Sequence, residues 1–155
     1  MQNRSLQERY APEGRCFGCG PANEKGLRIQ SFEAGDGTVV AEFQPRPEHE
    51  AFDGVVNGGI IGALIDCHSN WTGVAAMMAR TGATVAPSTV TAEFSVHFVK
   101  PTPSDRPLRV IARAVEVGGG KAMVEASIEV DGEVTATGSG TFVTVKPGHP
   151  AFGRW

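Results

Sequence analysis

From Gly58 to about Ala79 the apolar side chains Ile60, Leu64, Cys67, Trp71, Val74 and Met78 recur at spacings of three and four, the period of one buried helical face. A second stripe, Gly59, Gly62, Asp66, Asn70 and Gly73, keeps that period but is small or polar throughout. Another backbone, or a ligand, can approach such a stripe closely. The pattern predicts one long helix with a greasy side against a sheet and a small side bearing a carboxylate.

Around this helix the period changes to two. TVVAEF, residues 38–43, follows the turn residues Gly35, Asp36 and Gly37 and stops before Pro45 and Pro47, as a strand does. In residues 90–98 the alternation is complete: Val90, Ala92, Phe94, Val96 and Phe98 fall on a side assigned to the core, and Thr91, Glu93, Ser95 and His97 on the other. Residues 108–117 and 121–130 read as strands joined through Gly118, Gly119 and Gly120, and Asp131-Gly132 is a hairpin signal leading into 133–145.

Strand, long helix, then four strands predicts an α+β domain in which an antiparallel sheet of about five strands wraps around one central helix. A lone helix covers such a sheet poorly, and pairing of a free edge with a second copy is one physical solution. A homo-oligomer, dimer or dimer of dimers, is therefore expected. Residues 1–15 and the tail KPGHPAFGRW carry no periodicity; they read as peripheral segments of a single domain over 1–155 whose body is 16–145.

Composition narrows the function classes. With 155 residues, 41% hydrophobic and 20% charged, the chain has the profile of a globular domain that hides roughly 70% of its unfolded surface and needs no disulfide or structural metal. The net charge of -3, with 14 dispersed basic residues, argues against a nucleic-acid or anionic-lipid footprint. The most apolar stretch, residues 55–76, is interrupted by Asn57, Asp66, His68, Ser69 and Asn70, so no bilayer span is expected. MQNRSLQERYAPEGR lacks an apolar signal region, which points to a cytoplasmic protein.

Cys16 and Cys19 form a CxxC in CFGCG, but one pair cannot close a tetrahedral zinc site. Cys67 with His68 or His49 is the available complement. The pair is read as packing or a turn, with no metal and no cofactor expected; thioredoxin-like chemistry is disfavoured by the missing βαβ context.

The densest chemistry lies in HEAFDGVVNGGIIGALID, residues 49–66. Gly58 and Gly59 fall at the start of the predicted helix, where unpaired backbone N-H groups and the macrodipole favour negative charge. Without Cβ atoms, they let a substrate carbonyl approach the backbone. Asp66 follows two turns later, where an unpaired carboxylate is costly to bury. It is a candidate general base or nucleophile, set against a structural role in an interface.

This stretch resembles the PaaI-like acyl-CoA thioesterases of the hotdog superfamily, whose pattern HxGxxGxxHGGxxxxLxD is met by His49, Gly54, Gly58, Gly59, Leu64 and Asp66, with Asn57 standing at its second histidine. CFGCGPANEKGLRI resembles a CFxCGxxNPxGL element of many bacterial members, and FVKP after residue 97 adds to the likeness. The resemblance implies a hotdog fold, hydrolysis of an acyl-CoA or related thioester, and a site shared across a dimer. Asp66 matches the catalytic acidic residue, Gly58 the glycine that polarises the thioester carbonyl, and Thr91 a hydroxyl that orients water from the facing subunit. Asn57 and Gly59 then border the substrate, and His49 lines the pocket mouth.

Two departures stand out. Asn57 replaces the family histidine: it caps a helix well but carries no proton near neutral pH. Ala51 replaces a glycine of the pattern; its neighbour Glu50 reads as an exposed loop carboxylate, with substitution for the missing group as the alternative. His97 and His149 read as surface, and His68 does not share the face of Asp66. Besides hydrolysis, an enoyl-CoA hydratase of the same fold is weakened by Asn57, and a non-catalytic acyl-CoA binding module remains the alternative.

Overall fold

The protein is described by a computed structural model covering residues 3–155. The dominant element is α2, Gly58–Thr81. It begins at Asn57 and ends at Gly82, whose left-handed φ of 72° lets its N-H close on the Met78 carbonyl at 2.8 Å. Its apolar side, Ile61, Leu64, Ile65, Trp71, Val74 and Met78, is buried against the sheet. A Cβ at Gly73 would stand 3.1 Å from that of Ala122, so a small residue is what lets helix and sheet close together here.

The sheet is antiparallel and six-stranded. Its strands are β1 Phe32–Glu33, β2 Thr38–Phe43, β5 Thr89–Phe98, β6 Leu108–Gly118, β7 Lys121–Val130 and β8 Glu133–Thr144, in the order β1-β2-β6-β7-β8-β5. A short pair, β3 Glu50–Phe52 and β4 Val55–Val56, lies apart from it and leads into α2. This is the hotdog arrangement, a curved sheet around one helix, and the long strands begin and end within about a residue of their sequence expectations. The sixth strand, β1, is two residues long, too short for alternation to register.

Both peripheral segments contribute more than their lack of periodicity suggests. A one-turn helix α1, Leu6–Tyr10, is started by a capping box between Ser5 and Glu8 and buries Leu6 and Gln7. Gln7 and Ser31 exchange hydrogen bonds of 2.9 and 3.0 Å. Ser31 in turn lies 2.8 Å from Nδ1 of the buried His68, whose Nε2 donates to the Val39 carbonyl at 2.9 Å. Burial lowers the His68 pKa to about 4, so it is a neutral linker between α1, β2 and α2. At the other end, Trp155 stacks on Trp71 with ring centroids 5.0 Å apart.

Strand β5 departs most from expectation. Among the described residues it is an outer strand hydrogen-bonded only to β8, and its apolar side does not cover a core within the chain: Phe94 is 44% and Phe98 55% exposed. A ten-residue edge with half-exposed aromatics is long for a sheet that ends in solvent.

Candidate active site

One line of α2, at intervals of four residues, meets β5 running the other way. Asn70 accepts from the Thr89 hydroxyl at 2.8 Å, and Asp66 from the Thr91 hydroxyl at 2.6 Å. Further on, a Cβ at Gly62 would stand 3.7 Å from the Phe94 ring, and one at Gly58 3.4 Å from the Phe98 ring. The small stripe is therefore Gly58, Gly62, Asp66 and Asn70. Gly59 lies off that line, and Gly73 faces the sheet.

Odd-numbered Thr89 and Thr91 and even-numbered Phe94 and Phe98 all address the helix because the β5–β8 register shifts between Thr91 and Glu93. Such a bulge adds one residue and swaps the faces of everything beyond it. Strict alternation put Thr91 opposite Phe94, and the bulge is the reason that assignment fails.

Asp66 is half-buried, and desolvation raises its pKa above the ordinary carboxylate value. The Thr91 hydrogen bond and the Arg154 guanidinium work the other way. The Thr91 contact joins two residues of the same chain.

At the head of α2 the Asn57 side chain accepts from the Gly59 N-H at 2.7 Å and from the Ile60 N-H at 3.3 Å. Gly59 is thereby excluded as a donor to substrate. The Gly58 N-H has no hydrogen-bond partner among the described residues, and it sits at the positive end of a 24-residue helix. Gly58 and Asp66 share a face but are separated by eight residues, about 12 Å along the helix. Within one chain they cannot act on the same carbonyl.

His49 does not line a pocket mouth. It is 4% exposed, its ring lies 5.4 Å from Phe43, and its Nδ1 accepts from the Arg46 N-H at 3.0 Å. Its carbonyl accepts from the Asn57 N-H at 2.8 Å, so His49 fixes the entry of the chain into α2. Glu50, the neighbouring carboxylate, accepts from the Ser104 hydroxyl at 2.9 Å. His97 is exposed on β5.

The CFGCG turn folds over α2 next to Asp66. Cys16, Cys19 and Cys67 form the one His/Cys/Asp/Glu cluster with metal-ligand spacing among the described residues. Sequence spacing had offered Cys67 as a complement together with His68 or His49; both histidines are engaged elsewhere.

The thioesterase superfamily profile matches residues 53–137, which contain α2, β5 and the whole Gly58–Asp66 stripe. A thioesterase superfamily protein from Shewanella loihica is 29% identical, with a TM-score of 0.67 over 81% of this chain and 98% of that one. The PaaI protein of the Escherichia coli phenylacetic acid degradation operon has the same fold, with a TM-score of 0.66 at 15% identity over 81% and 85% of the two chains. A Streptococcus mutans protein whose structure holds acetyl-CoA gives 0.63 at 17% identity over 76% and 88%. Comparison with curated proteins finds no match. With more than half of its length inside the family profile and its helix and sheet in the hotdog order, the chain is a member of the thioesterase superfamily.

Proposed function

We propose that the protein hydrolyses an acyl-CoA thioester to the free acid and CoA, in a site shared by two copies of the chain. The observation that carries this reading is the spacing on α2: an unpaired N-H at Gly58 and a carboxylate at Asp66, on one face but about 12 Å apart. A two-fold axis near Gly62, midway between them, sets Gly58 of each copy opposite Asp66 of the other. Phe94 lies beside Gly62, so the same axis pairs the free edge of β5 with its own copy and continues the sheet. Helix and strand thus call for one and the same symmetry.

In that arrangement the thioester oxygen accepts from the Gly58 N-H at the positive helix end. On the opposite side the Asp66 carboxylate, held by Thr91, takes a proton from water as the water attacks the carbonyl carbon. Collapse of the tetrahedral intermediate breaks the C–S bond, and the proton passes from Asp66 to the departing thiolate. Asn57 holds the helix start so that Gly58 stays free. The acetyl-CoA in the Streptococcus mutans structure supports a CoA thioester as the substrate class, and the proposal extends to a cytoplasmic location, where such thioesters are made and used.

Release of CoA from a panel of acyl-CoA thioesters tests the reading. Turnover by the native protein that falls by about 10²–10⁴-fold in Asp66→Asn supports it. Tight binding of acyl-CoA without turnover would instead identify a binding module.

A further inference from the structure

The hydrolytic reading makes no use of the three thiols. The Cys16 and Cys67 sulfurs are 3.8 Å apart, and all three sulfurs lie within 4.8 Å of one another. Tetrahedral zinc, with Zn–S bonds of about 2.3 Å, separates its sulfurs by about 3.8 Å. The first pair already has that spacing, and small side-chain rotations close the rest.

The backbone is shaped for this approach. The Gly20 N-H donates to the Cys16 carbonyl at 2.8 Å, closing the CxxC turn. A Cβ at Gly20 would stand 2.4 Å from the Cys16 nitrogen, and one at Gly18 2.3 Å from the Cys67 sulfur. Glycine at both places is what lets the turn tighten and lie over the helix.

A separate observation points to the same place. Trp71 is 1% exposed, yet its indole N-H has no hydrogen-bond partner among the described residues, and it lines the same cleft as Cys16 and Cys19. A buried donor without an acceptor is costly; an electron-rich, metal-bound sulfur would satisfy it. Cys16, Cys19, Trp71, Arg154 and Trp155 line this cleft of about 230 Å³, which gives solvent access and sets a guanidinium where three thiolates around a divalent ion leave one net negative charge.

We propose that Cys16, Cys19 and Cys67 bind one Zn²⁺ ion as thiolates, with water from this cleft as fourth ligand. The metal displaces the thiol protons to solvent and staples the CFGCG turn to α2 one residue past Asp66. The site does not depend on the hydrolytic reading, since metal binding is measured without substrate.

The test is to equilibrate the reduced, full-length protein with Zn²⁺, remove loose metal and measure zinc per chain, then load Co²⁺ and record its absorption. One ion per chain, intense thiolate-to-cobalt charge-transfer bands and a tetrahedral ligand-field spectrum are expected. Cys19→Ser and Cys67→Ser should each weaken zinc binding by about 100-fold or more. The wild-type cobalt spectrum decides the matter even if a variant folds poorly. Zinc bound no more tightly than by a chain with all three cysteines changed to serine, or a cobalt spectrum without thiolate bands, overturns the proposal.

Discussion

The Thr91 hydroxyl donates to the Asp66 carboxylate at 2.6 Å across the gap between β5 and α2, and it can do so because a bulge turns Thr91 toward the helix. The bond holds one carboxylate oxygen and leaves the other for water. Thr91→Val keeps the shape and removes the donor. A hydrogen bond to a charged group contributes about 1.5–3 kcal/mol, so kcat should fall by roughly 10–100-fold, with a smaller change in KM. Thr91→Ser should retain most of kcat; steady-state kinetics of the two variants check this.

Asn57 separates the cap from the chemistry. Asn57→Ala removes the acceptor for the Gly59 and Ile60 N-H groups, and thermal or urea unfolding should show a loss of about 1 kcal/mol. Asn57→Asp preserves the cap, and with it the stability, but sets a negative charge beside the Gly58 N-H where an oxyanion would form. Activity should drop in Asn57→Asp while stability does not. Loss of both together would make Asn57 structural only.

Much of the fold was legible because it is periodic. The apolar spacing of Leu64, Trp71, Val74 and Met78 marked α2, and the turn residues at 118–120 and 131–132 bounded the hairpins. The candidate site could be named by its residues, but its geometry could not be read. Asp66, Gly58 and Thr91 were named from the chain, whereas the side of Thr91 depends on a bulge that alternation does not show. Gly59 was lost to the Asn57 cap, and His49 to burial against Phe43. The Gln7–Ser31–His68 chain and the Trp71–Trp155 stack join residues distant in sequence, and local pattern carries no sign of either.

The free edge of β5 makes association testable by itself. Phe94→Glu sets two like charges close to the proposed axis, where Phe94 is now half-exposed beside Gly62. In sedimentation the native protein should run as a dimer or larger, and the variant near the 16.3 kDa of one chain. Far-UV circular dichroism should stay native-like. A native monomer would remove the shared site altogether.

The most direct measurement pairs two inactive variants. Asp66→Asn removes the carboxylate. Gly58→Pro removes the N-H at the first helical position, where proline is well accommodated and where Asn57, with ψ 138°, already has the backbone that precedes proline. Each variant alone should be inactive. Unfolded together and refolded as an equal mixture, half of the dimers are mixed, and each mixed dimer holds one site with Gly58 from one chain and Asp66 from the other. About a quarter of native CoA release should return. A mixture as inactive as its parents, with mixed dimers verified by mass, would contradict a site built from two chains.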